Sequence, residues 1–404
     1  MTRIKLVEQH IIRVNDPRFA AIDAAAFASK NLYNAANYLV RQAFIHEGVY
    51  HNNAAVFHLI KGSPEYQALP RKVSNLVLKQ LNQAWTAFFA AIKVWRKQPE
   101  RFLGRPRLPA YKEKQGRNLL QYDIQAISKP ALAKGIVRPS QLGIEITTQQ
   151  RHVRQLRFVP RKGYYVAEIV YEVDPTPAPN LDSNLVAGID LGIDNLATIT
   201  TNKRGFTPLV VNGRPLKSIN QYYNKRRAEL QSQLGGNRRR SKQIDRLTTK
   251  RNRKVKDYLH KASRFIIDTL VGQGIGTIVV GRTANWKQAV NIGSRNNQNF
   301  VQIPHAQFWQ MIQYKARLVG IEVMLQEESY TSKCSFLDLE SIGKQVSYQG
   351  KRIKRGLFRA SNGRLINADC NGAYNIMRKA VPEAFADGIE GIAVCPVRVT
   401  PVQR

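Results

Sequence analysis

The chain has few acidic residues, few cysteines and no long apolar segment, and each shortage excludes a class of protein. Only 28 of its 404 residues are Asp or Glu, and the three cysteines, Cys334, Cys370 and Cys395, are too few for a disulfide framework. No run of about 18 uncharged apolar residues occurs, so neither a spanning helix nor a membrane partner is expected. Residues 1–13 lack the apolar core of a signal peptide. The sequence therefore predicts a soluble, cytoplasmic protein.

The excess of positive charge predicts a nucleic-acid partner. Lys and Arg number 63, and the formal charge is +35, which self-repels unless a polyanion is bound. In residues 96–114, prolines 99, 106 and 109 oppose a helix, and the predicted phosphate contacts of this extended segment are Arg105, Arg107 and Lys112. Residues 238–256 hold ten Lys/Arg and one acid. The candidates there are Arg238, Arg239, Arg240, Arg251, Arg253 and Lys254, and a solvated helix face is the alternative.

The first half of the chain combines strands with long amphipathic helices. Residues 5–14 predict a strand, and Asp16-Pro17 predicts the N-cap and first position of a helix. A second helix is expected after Ser74. Residues 130–173 are predicted to be mainly β, in the manner of a small barrel, with a hairpin at PRKG. The proline-rich segment 174–184 is the predicted domain boundary.

The second half predicts an α/β sheet of the ribonuclease H type. LVAGIDLG, NLATITT and PLVVN are read as three hairpin-connected strands, which long helices connect to the strands GTIVVG and IEVMLQ. Helices are expected at about 304–318 and 371–380. Three hairpin strands followed by helix-linked strands are typical of that sheet.

Two aspartates on this sheet are candidates for metal-dependent chemistry. Asp190 interrupts the apolar run GIDLGIDNLATIT, where a buried carboxylate is costly unless something compensates it. Asp369 precedes the last predicted helix. Two-metal phosphodiester cleavage requires carboxylates from separate elements, because Mg²⁺ prefers oxygen ligands. The alternatives are a helix N-cap for Asp369 and a satisfied turn carboxylate for Asp190; Asp194 is interpreted as a turn residue.

Several motifs together resemble the TnpB family of transposon-encoded, RNA-guided endonucleases, which are related to type V CRISPR effectors. They are GIDLGIDNLATIT, KDYLHKASRFIIDTL, YTSKCS and NADCNGAYNIMRKA, with NLYNAANYLV and FLGRPRLPAYK in the first half. The resemblance implies a wedge barrel of the oligonucleotide-binding type (1–12 and 103–180), an inserted helical recognition domain (13–102) and a RuvC-like nuclease domain (181–404). It also implies a guide RNA encoded near the transposon end, a double-stranded DNA target with a short flanking motif, and two Mg²⁺ ions. His260 and Lys261, within the second motif, are further nucleic-acid-binding candidates.

The chain departs from the family pattern at the second catalytic motif. The family places a glutamate directly after the fourth strand, where this chain has Gly281-Arg282. The predicted fifth strand ends in Glu327-Glu328. In a ribonuclease H sheet the fifth strand lies beside the fourth, so its end should border the catalytic cleft. One of the two glutamates should point into this cleft, because side chains alternate along a strand. Alternation does not decide between them. We favour Glu328, by its position two residues before Tyr330, as the third catalytic and metal-binding carboxylate with Asp190 and Asp369; a solvated acidic pair is the alternative.

A second departure concerns the insert at about 334–366, where the family carries a zinc-binding pair of Cys-x-x-Cys motifs. This chain offers only Cys334 and Cys370 there and no histidine, whereas tetrahedral zinc needs four N or S ligands. We therefore do not expect zinc, and we interpret the insert as a degenerate zinc finger and both cysteines as small apolar residues.

The sequence alone leaves three candidate functions. An active RNA-guided DNA endonuclease is favoured by the presence of both Asp190 and Asp369. A nuclease-inactive, RNA-guided DNA-binding repressor of the same fold is favoured by the missing glutamate. An actin-like ATPase shares the GIDLGIDN pattern, but it requires further glycine-rich nucleotide-binding turns that are not found and does not explain the basic excess.

Overall fold

The chain folds into two compact units, Arg3–Val173 and Asp174–Arg404. The structure is a computed structural model and describes residues 3–236, 238–282 and 302–401. The division falls at the start of the predicted proline-rich boundary. None of the helices in the described ranges combines the length and the apolarity that crossing a membrane requires.

The N-terminal unit joins helices to a four-stranded antiparallel sheet. Its helices are α1 (Phe19–Gln42), α2 (Asn53–Ile60), α3 (Pro64–Gln67), α4 (Arg71–Lys97) and α5 (Lys129–Ala133). Its strands are β1 (Ile4–Arg13), β2 (Leu120–Asp123), β3 (Ile136–Val137), β4 (Ile146–Thr147), β5 (Val153–Arg161) and β6 (Tyr164–Val173). The sheet order is β1-β6-β5-β2, and β3 pairs with β4 separately. The helices and this sheet share one apolar core that includes Ile12, Trp85 and Phe158.

The predicted helix faces are confirmed, whereas one predicted cap is wrong. In α1, Ile22, Tyr33 and Val40 lie on a buried face, as expected of the predicted amphipathic helix. The helix begins at Phe19, two residues later than predicted, and the Asp16 carboxylate accepts hydrogen bonds from the backbone N and the guanidinium of Arg18 in the turn before it. An aspartate before a proline can satisfy a neighbouring side chain as well as a helix end, which the sequence pattern does not distinguish.

The C-terminal unit is built on a six-stranded mixed sheet. Its strands are β7 (Asp182–Leu191), β8 (Asn195–Thr201), β9 (Leu209–Asn212), β10 (Ile275–Gly281), β11 (Glu322–Gln326) and β15 (Val397–Val399), and the sheet order is β11-β10-β7-β8-β9-β15. Strands β7, β8 and β9 are antiparallel, while β10 runs parallel to both β7 and β11. The predicted hairpin-then-parallel arrangement is therefore found. Strand β15, parallel to β9, was not predicted.

Within residues 174–236, 238–282 and 302–401, four α-helices and a small insert accompany this sheet. The helices are α6 (Arg214–Ser232), α7 (Lys242–Gly272), α8 (His305–Leu318) and α9 (Ala368–Ala380). The insert carries a three-stranded antiparallel sheet of β12 (Lys351–Lys354), β13 (Leu357–Arg359) and β14 (Leu365–Asn367). Its β13–β14 turn contains Ser361–Gly363.

Glycine brings α9 into direct contact with the central strand β7. A Cβ on Gly188 would lie 2.2 Å from the backbone oxygen of Ala373, so a larger residue at position 188 would push the helix away. A Cβ on Gly372 would lie 3.1 Å from Oδ2 of Asp190. The start of α9 is thereby held beside the end of β7, where the two candidate aspartates lie.

Side-chain oxygens connect the segments of the insert. The Glu340 side chain, which is buried, accepts hydrogen bonds from the backbone N of Ser335 at 2.7 Å and of Gln349 at 3.0 Å. Asp338 accepts from the backbone N and the hydroxyl of Ser361 at 3.0 and 2.6 Å. The Cys334 thiol, also buried, faces the carbonyl oxygens of Ser341 and Gly343 at 3.5 and 3.7 Å.

Candidate metal-dependent active site

Asp190 lies near the end of the central strand β7, paired with Thr198 on β8. The preceding residues of β7 are buried, and the strand ends one residue later at Leu191. The carboxylate is thus held by a strand that is hydrogen-bonded on both sides, to β8 and β10. A rigid central strand is a suitable support for a group whose position must be accurate.

Asp369 does not cap α9, so the alternative interpretation of this residue is wrong. The cap is Asn367, whose side chain accepts hydrogen bonds from the backbone N of Asp369 and of Cys370 at 3.0 and 3.2 Å. The Asp369 carboxylate is therefore available for other partners. Its Oδ2 accepts a hydrogen bond from the side-chain amide of Asn195 at 2.5 Å, and its Oδ1 lies 3.4 Å from a guanidinium nitrogen of Arg352.

Glu328 places its carboxylate against the end of the fourth strand. A Cβ built on Gly281 would lie 2.8 Å from Oε2 of Glu328. A side chain at position 281 and the carboxylate of Glu328 would thus compete for the same space. Its neighbour Glu327 is exposed and forms an ion pair with Lys379 at 2.8 Å. Hydrogen bonds from Lys379 and Ser329 lower the pKa of Glu327 to about 2.

The electrostatics of Asp190 connect the three carboxylates. Desolvation raises the pKa of Asp190 well above its ordinary value, the negative charges of Asp369 and Glu328 raise it further, and Arg352 lowers it. A carboxyl group whose pKa is raised by burial and by neighbouring negative charges is typical of a functional site. Three carboxylates from β7, α9 and the segment after β11 also form the oxygen donor set that Mg²⁺ prefers, so the residues fit this metal chemically.

The carboxylates are not drawn together as a finished metal cage. Among the described residues, no group of three His, Cys, Asp or Glu side chains is close enough to hold a metal ion. Asp369 is occupied by Asn195 and Arg352.

A cavity of about 500 Å³ next to these residues combines carboxylates with arginines. Asp190, Asp194 and Asp369 line it together with Arg214, Arg352, Arg355 and Arg398. Asp194 forms ion pairs with Lys217 and Arg355, in agreement with its interpretation as a turn residue. The arginines and Asn195 were not predicted from the sequence, although KRIKR at 351–355 is a visible charge cluster in the insert.

The basic candidates at 238–254 fall into two groups. Arg238, Arg239 and Arg240 are exposed before α7, and Arg253 and Lys254 are exposed on it. Arg251 is half-buried, and its guanidinium donates to Asn220 Oδ1 at 2.8 Å, Asn252 Oδ1 at 2.9 Å and the Gln302 backbone oxygen at 2.8 Å. Those contacts join α7 to its surroundings, so Arg251 has a structural role.

His260 and Lys261, also on α7, are engaged within the unit. Burial and the charges of Lys315 and Lys256 lower the pKa of His260 to about 4, so its imidazole is neutral at pH 7. Lys261 forms an ion pair with Asp257 one turn earlier at 2.6 Å. At neutral pH, His260 therefore offers a phosphate a hydrogen bond but no charge.

In the N-terminal unit, Arg105, Arg107 and Lys112 are all exposed on an extended segment, as predicted. The backbone of Lys112 is fixed by Asn34, which donates to its carbonyl oxygen at 3.0 Å and accepts from its backbone N at 2.8 Å. The Lys112 ammonium lies 4.7 Å from the ring centre of Tyr33.

Comparison with known proteins shows which families and relatives this chain resembles. Residues 168–287 match a family model described as "Probable transposase" (OrfB_IS605), and residues 305–376 match the model "Cas12f1-like, TNB domain". TnpB-like protein ORF457 of Acidianus two-tailed virus is 26% identical over 402 residues, covering 87% of this chain and 82% of that protein. The CRISPR-associated endodeoxyribonuclease Cas12f1 of Sulfoacidibacillus thermotolerans is 28% identical over 244 residues, covering 57% and 54%.

Two solved structures share the fold. A Cas12f1–sgRNA–target DNA complex matches with a TM-score of 0.55 at 16% identity, covering 88% of this chain and 81% of that one. The mini-RNA-guided endonuclease CRISPR-Cas phi3 matches with a TM-score of 0.50 at 9% identity, covering 98% and 94%. At such identities the likeness concerns the fold alone. Taken with the family models and the relatives, the resemblance to the TnpB family predicted from the sequence is confirmed.

Proposed function

We propose that this protein is an RNA-guided DNA endonuclease that cleaves phosphodiester bonds with Mg²⁺. The main support for this proposal is the electrostatics of Asp190 near the end of β7. The negative charges of Asp369 and Glu328 both raise the pKa of this residue. Glu328 also places a carboxylate against Gly281, the position at which the family's glutamate is missing. The names of the Cas12f1 and CRISPR-Cas phi3 relatives support the same activity.

Each side chain of the site has a proposed task. Asp190, Glu328 and Asp369 would hold the metal, for which we expect two ions; Mg²⁺ there activates water and stabilises charge on the scissile phosphate. Asn195, through its hydrogen bond to Asp369, orients that carboxylate. Arg214, Arg352, Arg355 and Arg398 line the adjacent cavity and would bind the phosphates next to the cleaved bond.

The partners follow from the same proposal. A guide RNA encoded near the transposon end and a double-stranded DNA target with a short flanking motif are expected, and the charge of +35 suits both. We assign a RuvC-like fold of the ribonuclease H class to residues 181–404. We assign a wedge barrel to 1–12 with 103–180, and a helical recognition domain to 13–102.

The test begins with the RNA that copurifies with the full-length protein, which is sequenced and then reprogrammed against a plasmid with randomised flanks. Wild type should cut beside one short motif when Mg²⁺ is present and remain inactive in chelator. Asp190→Ala and Asp369→Ala should abolish cutting while RNA binding and guided DNA binding stay within about threefold in gel-shift titrations. Asp387→Asn, an exposed acid of the same unit, is the matched control and should cut normally.

Two results would contradict the proposal. Loss of RNA binding in Asp190→Ala would show that this residue supports the fold rather than the chemistry. A wild-type protein that binds guide and target but never cuts, with any divalent metal, would identify an RNA-guided DNA-binding repressor instead.

A further inference from the structure

A groove with aromatic walls and cationic edges lies wholly within the N-terminal unit. It encloses about 1090 Å³ between the C-terminal half of α4 and residues 105–112, which we call the basic strip. Its apolar surface comes from Phe44, Phe88, Phe89, Ile92 and Leu108, and its cations are Arg41, Lys93, Arg96, Lys97, Arg105 and Arg107. The residues that line it include no acid in this described part of the chain. The groove is therefore apolar inside and positively charged at its edges.

The basic strip is fixed by side chains from one face of α1. Asn34, Asn37 and Arg41 are spaced by three and four residues, which places them on one side of the helix. Asn37 and Arg41 both donate to the carbonyl oxygen of Pro109, at 3.0 and 2.9 Å, and Asn34 makes two bonds to the backbone of Lys112. Because its backbone is already bound, the strip keeps an extended form at little further entropic cost when a ligand binds.

The aromatic wall of the groove, formed by Phe44, Phe88 and Phe89, is connected to the same face of α1. The Trp85 indole donates to Asn37 Oδ1 at 3.1 Å, and Trp85 is fully buried. Its ring lies 5.3 Å from that of Phe44 and 5.9 Å from that of Phe88. Phe44 and Phe88 are only partly buried against the core, so they reach the groove from a rigid base. Wall and strip thus form one preorganised unit.

This combination matches an unpaired nucleotide better than it matches a duplex. An aromatic surface stacks on the face of any base, and adjacent cations bind the phosphates on either side. In duplex DNA the bases are paired and stacked, so each would have to be extruded first. RNA is commonly recognised through unpaired bases that stack on aromatic or guanidinium planes. Charge complementarity favours a polyanion over an apolar protein segment, which would bring no negative charge to the six cations.

We propose that the groove binds one or two unpaired nucleotides of an RNA, with their bases against Phe44, Phe88 and Phe89 and their phosphates at Arg105 and Arg107. This site rests on the proposed RNA-guided function and adds to it a place where the N-terminal unit distinguishes unpaired RNA from duplex. Small-molecule sites commonly enclose roughly 300–1,000 Å³, so the volume accommodates this ligand.

The experiment measures binding of the full-length protein to a single-stranded RNA of twelve nucleotides with 2-aminopurine at successive positions, to its single-stranded DNA equivalent and to a blunt DNA duplex. Ala110→Phe fills the groove from an exposed position, and Phe88→Leu keeps the apolar volume but removes the ring. Arg105→Gln/Arg107→Gln removes the cations, and Lys134→Gln, exposed and outside the groove, is the control. Thermal unfolding confirms that each variant is folded.

In the wild-type complex, stacking on the aromatic rings should quench 2-aminopurine at one or two positions. We expect Ala110→Phe to weaken RNA binding at least tenfold and to remove this quenching, with duplex affinity unchanged. Phe88→Leu should act in the same direction, more weakly, and remains decisive if Ala110→Phe does not fold. The double Arg variant should weaken all ligands and reduce the dependence of log K on log salt concentration, by up to about 1.4 for two phosphate contacts on a single strand. Lys134→Gln should leave the fluorescence pattern unchanged.

Unchanged RNA binding and fluorescence in both groove variants would overturn the proposal, and an equal loss of single-stranded or duplex DNA binding would reassign the groove to DNA. The guided cutting assay separates this from the nuclease proposal. A protein that shows the expected fluorescence pattern but never cuts keeps the groove and loses the nuclease. A protein that cuts under guidance while both groove variants bind RNA normally loses only the groove.

Discussion

The carboxylate of Glu328 lies where a side chain on Gly281 would begin, with Oε2 at 2.8 Å from the ideal Cβ position. Gly281 ends β10, and Glu328 follows the neighbouring parallel strand β11, whose last residue Gln326 pairs with Gly281. Two adjacent strands can therefore supply a carboxylate to the same location from two different positions in the chain. This relationship gives the first two predictions.

Glu328→Gln should abolish DNA cutting, at least a hundredfold in rate, because it keeps the shape of the side chain but removes a negative charge facing Asp190. Glu327→Gln is the matched control and should stay within about threefold, since Glu327 is exposed and bound to Lys379. Single-turnover cleavage rates with loaded guide give both values. Equal rates in wild type and Glu328→Gln would exclude Glu328 from the site.

The carboxylate should also be transferable back to the fourth strand. In Gly281→Glu/Glu328→Ala we expect cutting well above that of Glu328→Ala alone, because removal of the Glu328 side chain opens the space. Cδ1 of Ile376, 2.5 Å from the new Cβ position, must move, which the end of a flexible side chain can do. Gly281→Gln/Glu328→Ala is the uncharged control. If neither double variant exceeds Glu328→Ala, positions 281 and 328 do not serve one metal site.

Asp190→Asn should stabilise the metal-free protein at neutral pH while it abolishes cutting. The pKa of Asp190 is raised in the fold, so the native state holds this proton more tightly than the unfolded chain does, and stability falls as pH rises above the ordinary value of 3.8. The variant avoids that loss. Its Tm in chelator should exceed that of wild type at pH 7, by about 2–4 °C for each kcal/mol, and the difference should shrink towards pH 4.

Asp194→Asn, a substitution in the same cavity, should change the stability at neutral pH in the opposite direction from Asp190→Asn. Burial would raise the pKa of Asp194, but the hydrogen bond and charge of Lys217 and the charge of Arg355 lower it, so this ionised group stabilises the fold above its ordinary pKa. The variant should be less stable than wild type at pH 7, with the deficit decreasing in acid. For the preceding prediction, a Tm of Asp190→Asn below that of wild type at pH 7 would contradict this electrostatic account of the site.

The arginines near the start of α7 should separate into binders and supports. Replacing Arg238, Arg239 and Arg240 by Ala should reduce the magnitude of the slope of log K against log salt concentration by about 2–3 and leave Tm unchanged. Arg251→Ala should keep the slope and lower stability by about 1–3 kcal/mol, because it leaves Asn220 and the Gln302 carbonyl unsatisfied. Salt titrations and denaturant unfolding measure the two effects, and an unchanged slope in the triple variant would make the segment a solvated face.

The insert should hold its fold through Glu340 rather than through zinc. Glu340→Gln retains one acceptor but turns an N–H donor towards the backbone N of Ser335 or Gln349, so amide exchange across residues 335–349 should accelerate. A strong chelator should leave exchange in the wild-type insert unchanged. Metal analysis that finds one tightly held zinc per chain, or an insert that loosens in chelator, would overturn this.

The sequence predicted those features that are expressed as periodicity or as order along the chain. The central strand with Asp190, the parallel pairing of β10 and β11 and the helix that carries Asp369 all follow from apolar patterns and the spacing of elements. Strand β15 was missed because Val397–Val399 is three residues long, too short to show alternation. The cap at Asp16 was wrong because a carboxylate beside a guanidinium has two possible donors.

Side-chain contacts between distant segments were outside the reach of the sequence. Alternation could not choose between Glu327 and Glu328, because both follow the end of β11; the choice depends on Lys379, which is remote in the chain. Arg251 and Arg253 are equivalent in a charge run, and only the packing of α7 distinguishes them. The placement of Arg352 against Asp369 depends on how the insert folds back, which no local pattern encodes.

The three carboxylates come from the central strand, the segment after the edge strand and the last long helix, so they meet only when the whole C-terminal sheet has formed. Bringing such distant segments together carries a loop-closure cost that is repaid late in folding. Positive charge, in contrast, is present in any conformation of the chain. A heated, truncated or incompletely folded preparation should therefore still bind nucleic acid after it has lost the means to cut it, and retention on a nucleic-acid column is no measure of how much native protein a sample contains.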